Sequence, residues 1–344
     1  MESLAIKYRP KMFSDVCEQS ATLIILQQQL NSGDIKNCYL FCGPAGCGKT
    51  TCARIFANEI NEHKGVPIEL DAASNNSVDN IREIITQAKT ASIDSKYKVF
   101  IMDEVHALSN SAWQAMLKML EEPPMRTVFI MCTTNPEKIP KTILSRVQRF
   151  DFQRISQQGI VDRLKDILCD EFDSNEEFQK KLVASDTNVL PYIAKLAQGG
   201  MRDAITMLDK CLAYSPELTM DNVLKALGIA EYDYLMRFIS NWYYADAEES
   251  IKVLNEVYMS GYDLKQFIHS VTLFVLDICK YTLTEGFKYL TCPETEQIKT
   301  FLDRSSEYDC NEALLSSLLR LERDIKWDTN PKSHIEAWII TRGE

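Results

Sequence analysis

The stretch GPAGCGKT, residues 43–50, decides how the first half of the chain is understood. It has the spacing G-x-x-x-x-G-K-T and stands between the apolar run CYLFC (38–42) and a helix-like segment that begins TTCARIF. Glycines in such a loop let backbone N–H groups point at phosphate oxygens, and the positive end of the following helix adds to the attraction. The alternative is a glycine-rich turn with an incidental Lys-Thr pair. The strand before the loop and the helix after it favour phosphate binding.

The motif assigns a role to each part of this loop. We expect Lys49 to place its charge on the β- and γ-phosphates and Thr50 to ligate Mg²⁺. The predicted nucleotide-binding residues of the loop are Gly43, Pro44, Ala45, Gly46, Cys47, Gly48, Lys49, Thr50 and Thr51.

A second element, KVFIMDEVH (98–106), ends an apolar run with two acidic residues. Ligands of open α/β sheets bind at the carboxyl ends of the strands, which is where this pair would lie. We expect Asp103 to hold Mg²⁺ through water and Glu104 to orient or deprotonate an attacking water. The alternative is a strand capped by solvated acids, which the upstream phosphate loop makes the weaker interpretation.

Alternating apolar runs and helix-length segments predict a parallel sheet covered on both faces in residues 1–155. The predicted strands are 38–42, 67–70, 98–103, 127–134 and 149–152, and the predicted helices are 20–31, 49–61, 77–91 and 109–120. Helical periodicity dominates after residue 155, and Tyr214-Ser215-Pro216 marks a break. We therefore predict an α/β domain at 1–155, a helical domain at 156–215 and an all-α domain at 216–344. The wide apolar faces of the last domain are either its own core or surfaces for neighbouring subunits.

Charge is distributed unevenly along the 344 residues, whose formal net charge is −11. Residues 1–155 hold 18 basic and 17 acidic side chains, whereas residues 156–344 hold 20 and 32. An acidic half repels nucleic acid, so any such contact is expected from the N-terminal half. The acidic half is equally compatible with a solvated helical surface.

The composition predicts a cytoplasmic protein without a membrane span. No window approaches eighteen uninterrupted apolar residues, and the N-terminus MESLAIKYRPKMF lacks an apolar signal core. The eleven cysteines include no C-x-x-C pair, so we expect buried, reduced thiols and no zinc site.

Two further stretches suggest groups that sense a nucleotide. In TTNP (133–136), Thr134 or Asn135 could hydrogen-bond the γ-phosphate or the attacking water, although a plain Asn-Pro turn is the alternative. In GGMRDAITMLDK (199–210), Arg202 lies in the first turn of a helix, where cations are disfavoured. We expect Arg202 to contact the γ-phosphate; pairing with Asp203 or solvent is the alternative.

Together these motifs resemble those of an AAA+ ATPase. The amino-acid sequences of several segments resemble more specifically the ATPase subunits of bacterial clamp loaders, the DNA polymerase III gamma/tau family. The segments are LAIKYRPKMFSDV, GPAGCGKTT, ELDAASNNSVDNIREI, DEVHALSNSAWQAMLKMLEEPP, TTNPEKIPKTILSR and GGMRDA. They span about residues 4–210. Over 219–344 the likeness is one of size and helicity, consistent with an oligomerising collar domain.

The resemblance assigns roles that the motifs alone do not. It implies that Arg146, in Ser145-Arg146-Val147, reaches the ATP site of the neighbouring subunit, where arginine fingers accelerate hydrolysis by about 10³–10⁵. The family has cysteine where this chain has Val147. The resemblance also places an N-terminal segment near adenine, which here is Tyr8, Arg9 and Pro10, with Asp15 and Val16 beside it. Read without the resemblance, the same segment could serve domain packing.

The family pattern is incomplete in two places. Its four-cysteine zinc module is replaced by NEHKGV (61–66), so we expect no zinc. The long extension of the tau form is absent from these 344 residues. Both differences suggest a streamlined version of the bacterial protein, and a phage or mobile-element origin is our hypothesis.

DNA contact is expected through phosphates and without sequence preference. The candidate residues lie on one predicted helix and just before it: Asn75, Asn76, Ser77, Arg82 and Lys89. The alternative to DNA contact is that they form a solvated helix face.

The expected function is that of the ATPase subunit of a sliding-clamp loader, which uses ATP and Mg²⁺ to open a ring-shaped clamp and place it on primer–template DNA. The expected partners are delta-like and delta-prime-like subunits, further copies of this chain, the clamp and the DNA. Two alternatives remain at this point. One is another AAA+ machine of the initiator or branch-migration type, and the other is a scaffold that binds nucleotide without hydrolysing it.

Overall fold

A five-stranded parallel sheet organises the N-terminal part of the chain in a computed structural model, which describes all residues except 1, 91, 93, 173–187, 230–231, 285, 309 and 343–344. The strands are β1 (Cys38–Cys42), β2 (Ile68–Asp71), β3 (Lys98–Asp103), β4 (Thr127–Thr133) and β5 (Gln148–Asp151), in the order β2-β3-β4-β1-β5. Every neighbouring pair is parallel. The prediction of a parallel sheet is confirmed, with small shifts at the strand ends. Strand β2 begins after Pro67, because proline has no N–H to donate.

Seven α-helices accompany the sheet within the described residues. They are α1 (Leu4–Lys7), α2 (Ser20–Ser32), α3 (Lys49–Ile60), α4 (Val78–Ala88), α5 (Asn110–Glu121), α6 (Lys141–Leu144) and α7 (Gln157–Phe172). Helix α5 ends at Glu121, two residues before Pro123-Pro124, because proline cannot continue a helix and restricts the residue before it. Helix α4 begins one residue later than predicted because Ser77 is its cap: the Ser77 hydroxyl accepts a hydrogen bond from the Asn80 N–H.

Both faces of the sheet are buried, and the alternation of side chains along β1 shows why. Tyr39 and Phe41 point into a cluster with helices α2 and α3, whereas Cys38, Leu40 and Cys42 point into a cluster with α4 and α5. All five residues of β1 are buried. A strand covered on both faces needs a continuous apolar run rather than an alternating one, which is what CYLFC supplies.

The remaining helices include a bundle with its own core. They are α8 (Val189–Leu196), α9 (Met201–Tyr214), α10 (Met220–Leu227), α11 (Tyr232–Tyr243), α12 (Ala247–Met259), α13 (Leu264–Thr284), α14 (Glu296–Ser305), α15 (Asn311–Ile325) and α16 (Pro331–Thr341). The core of this bundle is formed by α11 to α16. One buried carboxylate, Asp277, accepts hydrogen bonds from the backbone and hydroxyl of Thr291 and from the backbone N–H of Cys292.

Helix α13 is long and apolar enough to cross a membrane by length and composition, with a mean hydropathy of 1.2 in its most apolar window. Core helices pass the same test. Its apolar residues, among them Phe267, Val271 and Phe274, are buried in the bundle core.

Contacts divide the chain into two compact units. One contains residues 1–167 and 197–206, and the other contains 168–196 and 207–344. The helix α9, with its predicted sensor Arg202, begins in the first unit. The three-domain division at 155 and 215 stays a prediction.

Candidate nucleotide-binding site

The phosphate loop follows strand β1 at the carboxyl end of the sheet. Its glycines have the positive φ angles that the turn requires, 150° at Gly43, 72° at Gly46 and 100° at Gly48. The backbone N–H of Gly43 donates to the carbonyl of Thr133 at the end of β4, which ties the loop to the neighbouring strand. Lys49 is only 6% exposed, and its Nζ donates to the carbonyls of Gly43 and Pro44 at 2.9 and 2.7 Å. The lysine charge is therefore held inside the loop.

The predicted Mg²⁺ ligands meet beside this loop. The Thr50 hydroxyl donates to Asp103 Oδ2 at 2.6 Å, although the two residues belong to helix α3 and strand β3. The other carboxylate oxygen of Asp103 accepts the Glu104 N–H at 2.9 Å. A hydroxyl and a carboxylate at this separation suit Mg²⁺, which usually takes one or two protein oxygens and completes its shell with water and phosphate.

Glu104 is held in place by groups on two elements. Its Oε2 accepts the Thr134 hydroxyl at 3.0 Å, and His106 Nδ1 lies 3.1 Å from the same oxygen. The Glu104 backbone is left-handed, with φ 49° and ψ 41°, a conformation that is strained for a residue with a side chain. Thr134 therefore contacts the predicted catalytic carboxylate directly. His106 was not among the predicted site residues, since its contact depends on the tight turn at Glu104.

A cavity of about 740 Å³ opens next to the loop, and every residue that lines it belongs to the first compact unit. It brings together the loop from Gly46 to Thr51, Asp103, Arg202 and the whole predicted N-terminal set: Tyr8, Arg9, Pro10, Asp15 and Val16. Its size suits a nucleotide. Six predicted site residues are not among the described residues that line the cavity: Gly43, Pro44, Ala45, Glu104, Thr134 and Arg146. Sequence reasoning missed several lining residues, among them Arg54, Arg163, Met201 and Ile205.

The start of helix α9 lies directly against the phosphate loop. The Met201 N–H donates to the Gly46 carbonyl at 3.0 Å. A Cβ atom added to Gly46 would stand 2.9 Å from the Cα of Gly200, so the two backbones touch where both residues are glycine. This contact carries Arg202, two residues further on, to the cavity wall.

Arg146 forms an ion pair with Glu121, which is distant from it in the sequence. Its Nη2 lies 2.7 Å from Glu121 Oε1, at the end of helix α5, and its Nη1 donates to the Thr142 carbonyl at 2.6 Å. The side chain is 34% exposed. Its role across a subunit boundary stays a prediction.

The predicted DNA-contact residues surround the start and one face of helix α4. Ser77 is the helix cap, and Asn75 Nδ2 donates to the Asp71 carbonyl. The carbonyl of Asn76 accepts the Ser109 N–H. Arg82 pairs with Asp79 at 3.1 Å, and Lys89 follows the last turn. These contacts organise the segment locally, and DNA contact stays a prediction.

Buried thiols surround the loop. Burial raises the pKa of Cys42 to about 11 and that of Cys52 to about 12, and it also raises the pKa of Cys47 and Cys132. The described residues include no group of three or more His, Cys, Asp or Glu that could hold a metal ion. The expectation of no zinc stays a prediction.

Comparison with known proteins decides the family. The DNA polymerase III subunit gamma of Buchnera aphidicola is 30% identical to this chain over 297 residues, covering 80% of each protein. The chain belongs to the DNA polymerase III gamma/tau family. The subunit tau of Bacillus subtilis is 34% identical over 97% of this chain and 62% of its own length. This gamma/tau chain spans between 42% and 62% of the length of its B. subtilis, Mycoplasma genitalium and Escherichia coli relatives.

A family model and a solved structure also match the gamma/tau chain. A family model described as DNA polymerase III, delta subunit, matches residues 61–156. The RuvB Holliday junction branch migration motor of Thermotoga maritima has a TM-score of 0.52 and 17% identity, covering 68% of this chain and 79% of RuvB. The likeness to RuvB confirms the expected AAA+ fold and does not favour the branch-migration alternative.

Proposed function

We propose that this gamma/tau chain is the ATPase subunit of a sliding-clamp loader, which hydrolyses ATP to place a ring-shaped clamp on primer–template DNA. The observation that carries the ATPase assignment is the contact between Thr50 and Asp103 beside a Glu104 that Thr134 holds. Phosphate binding alone needs no second carboxylate at this position, whereas hydrolysis needs a group that orients water, and a held carboxylate can do so. The clamp-loading assignment is supported by the polymerase III relatives.

The positions of several groups support the proposed roles. Lys49 and the loop N–H groups bind the β- and γ-phosphates, and Thr50 with Asp103 would hold Mg²⁺. Mg²⁺ bound with the nucleotide supplies positive charge to the phosphate oxygens. Glu104 orients or accepts a proton from the attacking water, Thr134 fixes the Glu104 carboxylate, and Arg202 contacts the γ-phosphate from helix α9.

The proposed catalytic pocket is completed by a second subunit. Arg146 would leave Glu121 and stabilise charge on the γ-phosphate bound by the adjacent subunit. An exposed ion pair contributes only about 0–1 kcal/mol, so exchanging Glu121 for a phosphate costs little. In this proposal ATP-bound rings grip an open clamp and DNA, and hydrolysis releases both. The other ring members would be delta-like and delta-prime-like subunits.

The test is ATP hydrolysis by the chain assembled with candidate delta-like and delta-prime-like subunits, with and without a bacterial sliding clamp and primer–template DNA. We expect clamp and primed DNA together to raise the rate above that of the assembly alone, while blunt duplex without the clamp does not. Glu104→Gln in the same assembly controls for contaminating ATPases. A rate that responds to DNA but never to a clamp would favour another AAA+ machine.

A further inference from the structure

One wall of the cavity is a short N-terminal segment whose position must be set by the rest of the protein. Helix α1 has four residues, too few for a helix to be stable on its own. Tyr8, Arg9 and Pro10 follow it and line the cavity. Arg163 reaches this segment from 155 positions away: its Nη2 donates to the Tyr8 carbonyl at 3.2 Å.

Arg163 is well placed to fix that wall. It lies on helix α7, where Ile160, Leu164 and Ile167 are buried. Its side chain also lines the cavity. A guanidinium carries five N–H donors in a rigid fork, so the group that holds a carbonyl can donate to a ligand as well.

The same guanidinium also acts on the other part of the N-terminal wall. Burial raises the pKa of Cys17, and the positive charge of Arg163 opposes that rise. Cys17 follows Asp15 and Val16, and all three line the cavity. Arg163 thus bonds the N-terminal wall at Tyr8 and lies near enough to Cys17 for its charge to act there.

The phosphate end of the cavity has cations of its own. Lys49 is enclosed in the loop, and Arg202 is carried to the wall by the contact between helix α9 and Gly46. Arg163 instead bonds the segment that is expected to face the nucleoside. Its contribution should therefore fall on the base and sugar of a bound nucleotide.

We propose that Arg163 is a positioning residue for the nucleoside half of ATP, which fixes the Tyr8–Pro10 wall through the Tyr8 carbonyl and takes no part in hydrolysis. The inference rests on the proposed function, in which this cavity binds ATP. Arg163, on helix α7, would thus contribute to the affinity of the site for the nucleoside and to its preference among bases.

The test compares ATP with inorganic tripolyphosphate, which has the phosphates and lacks the nucleoside. Dissociation constants are measured by calorimetry with Mg²⁺ for the wild type, for Arg163→Met and for Lys165→Met, an exposed control on the same helix. We expect Arg163→Met to weaken ATP binding about tenfold or more, the effect of one lost charged hydrogen bond. Tripolyphosphate binding should stay within about twofold, and the control should match the wild type.

Turnover and base preference supply the second readout. In the assembled ring, Arg163→Met should raise the KM for ATP, leave kcat within about twofold and narrow the preference for ATP over GTP. Arg163→Lys keeps one donor for the Tyr8 carbonyl, so it should recover part of the ATP affinity and serves if the methionine variant folds poorly.

Three results would overturn the inference: equal weakening of ATP and tripolyphosphate, a fall in kcat at saturating ATP, or unchanged ATP affinity in both Arg163 variants. A wild-type chain that binds neither ATP nor tripolyphosphate would instead contradict the proposed function itself.

Discussion

Glu104 has a left-handed backbone conformation, and its carboxylate is held by a hydrogen bond. A left-handed conformation is costly for glutamate, and it persists where the surroundings impose it. Here the backbone N–H donates to Asp103, and the carboxylate accepts the Thr134 hydroxyl, with His106 Nδ1 at 3.1 Å. The tight turn thus directs the carboxylate to Thr134, while the preceding residue, Asp103, contacts Thr50.

Replacing Glu104 separates ATP binding from hydrolysis. Glu104→Gln keeps the shape of the side chain and removes the base, so ATP affinity should stay within about threefold while kcat falls about 10²-fold or more. Fluorescent-nucleotide binding and phosphate-release assays measure the two effects. Glu122→Gln, an exposed carboxylate after helix α5, is the control and should behave as the wild type. Unchanged turnover in Glu104→Gln would support a scaffold that binds ATP without hydrolysing it.

The sequence was sufficient to place the residues that two spacing motifs contain, and their roles stay predictions. Lys49, Thr50, Asp103 and Glu104 follow from two motifs and from the strands that precede them. The contacts of His106 and Glu121 could not be predicted, because they depend on the turn at Glu104 and on how helix α5 ends near Arg146. Such contacts join residues that no local pattern connects.

Among the elements, the phosphate loop and helix α9 meet at a contact that leaves no room for side chains. Gly46 and Gly200 approach so closely that neither can carry a side chain without displacing backbone or a neighbouring carboxylate. The hydrogen bond from Met201 to Gly46 depends on that approach. Through it the position of Arg202 is tied to the conformation of the loop.

A pair of glycine substitutions isolates this contact. Gly46 and Gly33 both have φ +72°, but a Cβ at Gly33 meets nothing within 4 Å. The left-handed backbone should cost each of Gly46→Ala and Gly33→Ala about 1–2 kcal/mol of stability, and Gly46→Ala should lose more because its Cβ displaces the Gly200 backbone. Only Gly46→Ala should weaken ATP binding, by about tenfold or more, the effect of about 1.4 kcal/mol. Urea unfolding and calorimetry supply the two measurements, and equal ATP affinity in both variants would contradict the proposed coupling.

Element types could be predicted from the sequence, whereas their ends depended on individual side chains. The apolar runs of β1, β3 and β4 are long enough to identify buried strands. The ends of β2 and α4 shifted because Pro67 cannot donate a hydrogen bond and Ser77 caps the helix. The start of α9 within the first compact unit could not be predicted, since it depends on the backbone contact at Gly46.

For the whole molecule, the buried thiols predict a loss of stability at alkaline pH. Burial raises the pKa of Cys38 and Cys52 to about 12 and that of Cys42 and Cys211 to about 11, from an ordinary value of 9.0. Above pH 9 the unfolded chain releases these protons while the folded chain keeps them. Unfolding is therefore favoured increasingly as the pH rises from 9 towards 12, and the stability is fully present below pH 9.

Urea unfolding at pH 7.5 and pH 10 measures this effect. At pH 10 each such thiol should reduce the free energy of unfolding by up to about 1.4 kcal/mol. Cys52→Ala should show a smaller drop between the two pH values than the wild type, whereas Cys169→Ala, which removes an exposed thiol, should show the same drop. An equal drop in all three proteins would contradict the assigned contribution of Cys52.

In the proposed ring, two subunits build each catalytic pocket together. One chain supplies the phosphate loop and the carboxylates, and the next chain supplies Arg146. The most direct measurement is ATP hydrolysis by assembled rings that mix Arg146→Ala with Lys49→Ala subunits. Each variant alone should lose about 10³-fold or more in rate, although Arg146→Ala still binds ATP. Mixed rings should recover part of the turnover, because an intact loop then faces an intact arginine at some boundaries. No recovery at any mixing ratio, or full-speed hydrolysis by a strictly monomeric wild type, would contradict the account.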